Sequence, residues 1–423
     1  MRFARPAFLL LALAAPAVAR ADEPFYLKDG DRVVFYGDSI TDQRLYTVFT
    51  EAYVVTRFPN LKVDFVHSGW GGDRVTGGGG GPIDVRLDRD VIAYKPTVVT
   101  IMLGMNDASY RAFDQKIYDT YTKGYRHIVE RLKSELPGVR LTLIRPSPYD
   151  DVTRPPGFPG GYNEVLVRYG DFVEALAKET GSTVADLNGP VVDATRRALA
   201  ADPSLAPKLN PDRIHPDKSG QLLMAAALLK AWHAPALVSE VVIDAGGDAS
   251  PARLVEAKKS KVEKVESGDG KITWTETDAA LPLPINLADA ATKLALRSSS
   301  VVDDLDREVL KVTNLPKPRY TLEIDGKAVG DFDREALTAG VNLATETTPM
   351  LRQAAAVMAA TVKHNELHYA RWREVQVPFA KGDTVESARK AMEGLDGIES
   401  AIVARRREAA RPASHRFALV PKG

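Results

Sequence analysis

The chain has 423 residues, 44% of them apolar and 26% charged, with lysine plus arginine equal to aspartate plus glutamate at 56 each. That length exceeds one average domain, and the composition is that of a globular protein rather than a disordered or fibrous one. A formal charge of zero argues against a nucleic-acid surface, and the lack of cysteine excludes disulfides, a thiolate nucleophile, a lipidated N-terminal cysteine and a cysteine zinc site.

The first 24 residues, "MRFARPAFLLLALAAPAVARADEP", place Arg2 and Arg5 before an apolar run from Ala7 to Ala15, then small residues ending in Ala19-Arg20-Ala21. This is the pattern of a signal peptide over residues 1–21, so the mature chain is expected to be secreted or periplasmic. The apolar run is shorter than the roughly 20 residues needed to cross a bilayer, and no later stretch is long and apolar enough, so no membrane span is expected in the mature chain. Cleavage removes three arginines and leaves the remainder acidic by three charges.

From Arg32 to Trp232 strand and helix alternate. "RVVFY" is a continuous apolar run, as expected of a strand covered on both faces. Leu45, Val48, Phe49 and Ala52 then fall at helical spacing until Phe58-Pro59-Asn60 stops them. "KVDFV" (62–66) reads as the second strand, and a helix with Leu87, Val91 and Ile92 ends at Pro96. "TVVTIML" (97–103) is the third strand, followed by a helix with Ile117, Tyr121, Tyr125, Ile128 and Leu132. "RLTLIR" (140–145) is the fourth, and a helix with Val165, Leu166, Tyr169, Val173 and Leu176 leads to "TVADL" (183–187), the fifth. "GQLLMAAALLKAW" (220–232) closes the region as a helix. Five such repeats imply an α/β fold, a three-layer α/β/α arrangement of flavodoxin-like type around a five-stranded parallel sheet. Ligands in such folds bind beyond the carboxyl ends of the strands.

Polar clusters stand at those ends. "GDS" (37–39) follows the first strand, "HSGWGGD" (67–73) the second, "GMND" (104–107) the third, and "NPDRIHPDKSG" (210–220) the fifth beyond a short helix. Acyl transfer needs a hydroxyl nucleophile, a base, an acid that orients the base, and donors for the oxyanion. Ser39 supplies the hydroxyl. Asp212 and His215, three apart, can place a carboxylate on one imidazole nitrogen while the other faces Ser39, and Pro216 keeps His215 out of helical angles. The N–H groups of Ser39 and Gly72 and the amide of Asn106 are candidate oxyanion donors. Taken alone, Ser39 reads equally well as a helix N-cap.

Together these blocks resemble the SGNH, or GDSL-like, hydrolases over about residues 30 to 235. The resemblance implies a serine esterase with Ser39, Asp212 and His215 as its triad, an oxyanion hole from Ser39, Gly72 and Asn106, and no metal or other cofactor. The family's second block commonly opens with Asn, where this chain has His67. The favoured substrate is an acetylated carbohydrate, so the partner is a small-molecule or polysaccharide ester; a lipase-like or lysophospholipase activity is the alternative. A metal-dependent phosphoesterase, with Asp38, Asp73, Asn106 and His215 around ions, is the rival chemistry, although the D-x-H and H-x-H clusters expected of it are missing. A non-catalytic glycan-binding protein that kept the fold is the third reading.

Other residues carry plainer expectations. His67 reads as a loop-packing residue, and His127 and His233 as surface or core-edge. His364 and His368, four apart without an H-E-x-x-H pattern, read as a solvated helix face. Asp107 is expected to brace Asn106, "TGGGGGP" (76–82) to form a turn, and Trp70, Tyr149 and Phe158 to wall the substrate pocket.

Beyond residue 235 the alternation stops. Hairpins are expected at Gly268-Asp269-Gly270 and at Asp325-Gly326, and helices after Asp333. The expected division is a catalytic domain over 22–235, a β-rich accessory region over 236–332 and a helical region over 333–423. The second half reads as a packing or oligomerisation appendage, with a carbohydrate-binding module as the sharper alternative.

Overall fold

The computed structural model describes residues 23–247 and 250–422. The expected signal peptide over 1–21 lies outside them. Five strands form the first sheet: β1 (Arg32–Gly37), β2 (Asp64–Gly69), β3 (Val98–Met102), β4 (Arg140–Arg145) and β5 (Thr183–Asp186). They run parallel in the order β2-β1-β3-β4-β5. Val33, Val34, Phe35 and Tyr36 of β1 are all buried, as a strand covered on both faces requires.

Helices α1 (Leu45–Arg57), α2 (Ile83–Asp90), α3 (Gln115–Glu135), α4 (Gly161–Thr180), α5 (Gly189–Ala201) and α6 (Lys218–Ala231) flank the sheet. They pack in two groups, α1 with α6 and α5, and α3 between α2 and α4. Asp114 caps α3 by accepting from the N–H groups of Lys116 and Ile117. The Tyr121 and Tyr125 hydroxyls, buried on its inner face, donate to the carbonyls of Leu103 (3.2 Å) and Ile101 (2.9 Å). Each phenol is thereby satisfied in a core it would otherwise destabilise by roughly 1–3 kcal/mol.

β2 begins two residues later than expected because Lys62 is engaged by the turn before β1, its N–H donating to Asp29 and its carbonyl accepting from Gly30. His67 is therefore a strand residue rather than a loop residue. It is fully buried between Thr47 and Glu51.

The second half forms two further sheets. One is antiparallel, in the order Ser260–Gly268, Lys271–Asp278, Ser414–Pro421, Arg319–Ile324, Lys327–Asp333. The other is mixed, in the order Val341–Asn342, Arg307–Thr313, Leu237–Asp244, Arg253–Lys258. Both expected hairpins form, and Asp325 and Gly326 turn theirs with φ of +52° and +74°. The expected division at 332/333 does not separate two bodies. The last strand, Ser414–Pro421, returns to the centre of the antiparallel sheet, where Phe417 stacks on Trp274 with ring centroids 5.2 Å apart. Nor is 235/236 a clean boundary: Leu283, Ile285, Leu294, Val301 and Leu305 complete the core of the first sheet. No helix among the described residues is long and apolar enough to cross a membrane.

Helices α7 (Pro349–Tyr369) and α8 (Val385–Ala409) pack together, and α7 lies on α1 and the edge strand β2. His364 and His368 are buried there, not on a solvated face. Glu51 of α1 accounts for His364. One of its oxygens accepts from His67 Nε2 (3.1 Å) and Asn365 Nδ2 (2.9 Å); the other faces His364 Nδ1 (3.0 Å) and the Arg406 guanidinium. Burial pushes the Glu51 carboxyl up, but Arg406, His364 and His67 outweigh it and hold it well below its ordinary value. Burial likewise opposes charge on His364, yet Glu51 and Glu399 raise that imidazole to about 9. Among the described residues His368 has no carboxylate within hydrogen-bonding reach, and burial lowers it to about 3.

A histidine raised by folding contributes stability that is complete below its unfolded pKa near 6.5 and is lost as pH rises through the folded value. The Tm of the wild type should therefore fall between pH 7 and pH 10 by more than that of His364→Gln, the difference reflecting on the order of 3 kcal/mol. Parallel Tm–pH curves for the two proteins would contradict the charged buried imidazole.

Candidate active site

β1 ends at Gly37, and the chain turns at once into a single helical turn, Ser39–Asp42. Asp38 caps it, its carboxylate accepting the Ile40 N–H at 3.0 Å. The turn lies across the neighbouring strand ends with no room for side chains beneath it. A Cβ on Gly37 would stand 2.7 Å from the Met102 carbonyl of β3, and one on Gly69 2.8 Å from Asp42 Cα. Glycine at both strand ends is what lets Ser39 sit at the rim of the sheet.

The loop before α6 brings in the second component. Asp212 Oδ1 accepts the N–H groups of Ile214 (2.9 Å) and His215 (2.7 Å), which folds the loop into a tight turn with Arg213 at φ +75°. Its Oδ2 lies 2.7 Å from His215 Nδ1, and His215 Nε2 lies 2.9 Å from Ser39 Oγ. With the Nδ1 proton directed to Asp212, Nε2 is left to accept from the serine hydroxyl. Partial burial pushes the Asp212 carboxyl up, but the His215 and Ile214 N–H groups and the imidazole outweigh it, so it stays below the usual carboxylate range. Asp212 is therefore an anion wherever His215 would need one.

Gly72 and Asn106 stand beyond β2 and β3. Gly72 has φ +78°, open space where a Cβ would be, and an N–H with no protein acceptor among the described residues. The Asn106 amide is clamped at both ends: Nδ2 donates to the Asp73 carbonyl at 3.1 Å, and Oδ1 accepts from the Tyr110 hydroxyl at 2.9 Å. That leaves the second Nδ2 hydrogen for another acceptor.

Several expectations change here. Asp107 does not brace Asn106; its carboxylate accepts the Val75 N–H at 2.9 Å and so ties down the loop after β2. Burial pushes Asp107 up to about 7, and does the same to Asp38. Asp73 turns to Arg86, 2.7 Å away, so Asp38, Asp73, Asn106 and His215 do not converge as a ligand set. Trp70 and Tyr149 belong to different clusters, Trp70 with Trp372 and Arg373, Tyr149 with Tyr110 and Tyr162. The glycine-rich stretch is a small hairpin pairing Gly77–Gly78 with Gly81–Pro82. Tyr110 escaped the sequence reading. It lies outside the "GMND" block and meets Asn106 only because Ser109 and Tyr110 both adopt positive φ, of +58° and +54°.

Residues 35–223 match the family described as GDSL-like Lipase/Acylhydrolase. An acetylxylan esterase of Geobacillus stearothermophilus is 26% identical over 226 residues, 48% of this chain and 93% of its own. The solved structure of a gut microbial diltiazem-metabolizing enzyme is similar over nearly the whole chain, at 26% identity, with a TM-score of 0.80 and coverage of 94% of this chain and 98% of its own.

Removing the phenol that holds Asn106 should act on turnover. Tyr110→Phe is expected to lower kcat for a chromogenic ester about 3- to 10-fold with KM little changed, since the Asp73 contact survives. An unchanged kcat would show that the amide is fixed without Tyr110.

Proposed function

We propose that this chain, which matches the GDSL-like lipase/acylhydrolase family over residues 35–223, is an esterase of the SGNH type and that Ser39, His215 and Asp212 carry its chemistry. His215 Nε2 takes the proton of Ser39 as Oγ attacks the ester carbonyl. The charge that develops on the carbonyl oxygen is received by the N–H groups of Ser39 and Gly72 and by Asn106 Nδ2. The imidazolium, stabilised by Asp212, returns its proton to the leaving alcohol, and the acyl group stays on Ser39. Water, deprotonated by the same imidazole, then attacks the acyl-enzyme; the acyl–Oγ bond breaks, the imidazolium returns the proton to Ser39 Oγ, and the acid is released. The observation that carries this reading is the unbroken line of contacts from Asp212 Oδ2 through both nitrogens of His215 to Ser39 Oγ, at 2.7 and 2.9 Å.

The favoured substrate is an acetylated carbohydrate met outside the cytoplasm. Three features support it: the similarity to an acetylxylan esterase, the signal-like pattern of residues 1–21, and the openness of the site. The side chains of Asp212 and His215 are 54% and 31% exposed, so a bulky alcohol part can approach Ser39 from solvent.

Rates on p-nitrophenyl esters of increasing chain length and on acetylated xylo-oligosaccharides test this reading. Acetyl esters are expected to be cleaved fastest, and Ser39→Ala to abolish turnover of all of them. Asn106→Ala is expected to lower kcat by about 100- to 1,000-fold. A preference for long acyl chains would move the substrate to lipids, and activity retained in Ser39→Ala would remove the serine mechanism.

A further inference from the structure

The turn that carries Gly72 is gripped by the far end of the chain. α7 continues into a π-helical stretch, Ala370–Gln376, of a kind that is rare and is found disproportionately at functional positions. From it Arg373 reaches the residues between β2 and Gly72. Its guanidinium lies 3.2 Å from the centroid of the Trp70 ring, Nη1 donates to the Gly69 carbonyl at 3.3 Å, and Nη2 lies 3.4 Å from Asp42 Oδ2. The same Asp42 oxygen accepts the Gly71 N–H at 3.2 Å. Asp42 stands one helical turn beyond Ser39. A single arginine thus touches Gly69 and Trp70 directly and Gly71 through Asp42, and ties all three to the helix that bears Ser39.

The preceding residue works on the other side of the turn. The Trp372 indole N–H donates to Asp90 at 2.6 Å. Asp90 and Asp73 together hold the buried Arg86, and the Asp73 carbonyl is the group that receives Asn106 Nδ2. Both donors assigned to the oxyanion beyond Ser39 are therefore supported by neighbouring residues of one C-terminal segment. Arg373 and Asp42 side chains are only 17% and 20% exposed, so this contact is less screened than a surface pair.

We propose that Arg373 is a positioning residue for the oxyanion-binding turn, which makes the C-terminal helical region a working part of the esterase site rather than an appendage. The proposal rests on the assignment of Gly72 and Asn106 as oxyanion donors. A turn misplaced by an ångström weakens stabilisation of the transition state more than binding of the ground state, so the loss should fall on kcat.

The test is steady-state kinetics on p-nitrophenyl acetate with Arg373→Met, Arg373→Lys and Asp42→Asn, with Tm measured alongside. In Arg373→Met, kcat is expected to fall about 10- to 100-fold with KM within about twofold of wild type. Arg373→Lys should recover part of that loss, and the double variant Arg373→Met/Asp42→Asn should be little worse than the poorer single variant. A purely structural role would lower Tm and leave kcat of the folded enzyme unchanged. A kcat within about twofold of wild type in folded Arg373→Met, or a rise in KM alone, would overturn the proposal. Should that variant not fold, Asp42→Asn decides by the same criteria. Ser39→Ala separates the two levels: a wild type whose ester hydrolysis survives Ser39→Ala removes the serine mechanism and this proposal with it, whereas hydrolysis lost in Ser39→Ala but unaffected by Arg373→Met removes this proposal alone.

Discussion

The structure depends on one steric constraint: a helical turn must lie directly on the ends of three adjacent parallel strands. Gly37 pairs with both Gly69 and Met102 at the last register position of β1. The turn Ser39–Asp42 covers that point so closely that a methyl group on Gly69 would overlap its backbone, and one on Gly37 would overlap the Thr41 side chain and the Met102 carbonyl. Parallel strands end together at one edge, so this seat also lies beside the loops that carry Gly72, Asn106 and His215. Ser39 then meets His215 across 176 positions of sequence.

A second set of constraints joins the two halves. Glu51 and Arg57, both buried on α1, draw partners from the C-terminal half. Glu51 is matched by His364, Asn365 and Arg406. Arg57 donates to the carbonyls of Pro235, Ala236 and Leu305 and to Asp306. Burial pushes Asp306 up to about 7 despite Arg57, and burial with neighbouring carboxyls raises Glu308 well above its usual value. Breaking one side of a buried pair costs about 3–5 kcal/mol, because the other charge is left in a dry environment. The Glu51 contacts hold the C-terminal helices against α1, the placement from which Arg373 reaches the turn before Gly72. The likeness to the diltiazem-metabolizing enzyme extends over both halves, as an integrated architecture of this kind would have it.

The parallel sheet was legible because each of its strands is a short continuous apolar run bounded by turn residues, and β4 falls on the residues expected, Arg140–Arg145. Ser39 and Asn106 could be singled out as polar residues just past strands, Gly72 as a glycine whose N–H is unshielded in the loop after β2, and Asp212 and His215 by their spacing of three before a proline. What escaped were contacts between distant positions. Arg373 lies 331 residues from Asp42, and Asn365 314 from Glu51. No local period marks such residues, so His364 and His368 looked like a polar helix face. The last strand, Ser414–Pro421, was hidden for a related reason: it follows a long charged helix and becomes a strand only by insertion between two partners far upstream. Tyr110 was missed because its role depends on two consecutive positive φ angles.

The central claim is that Ser39 is an activated nucleophile. Mapping by mass spectrometry after treatment with a fluorophosphonate probe tests it most directly, since such probes label a serine hydroxyl only where a base and an oxyanion site act on it. The account requires a single adduct on the peptide containing Ser39 and none on that peptide in Ser39→Ala. A folded protein that takes up no probe, or takes it up at another residue while Ser39 stays free, would contradict it.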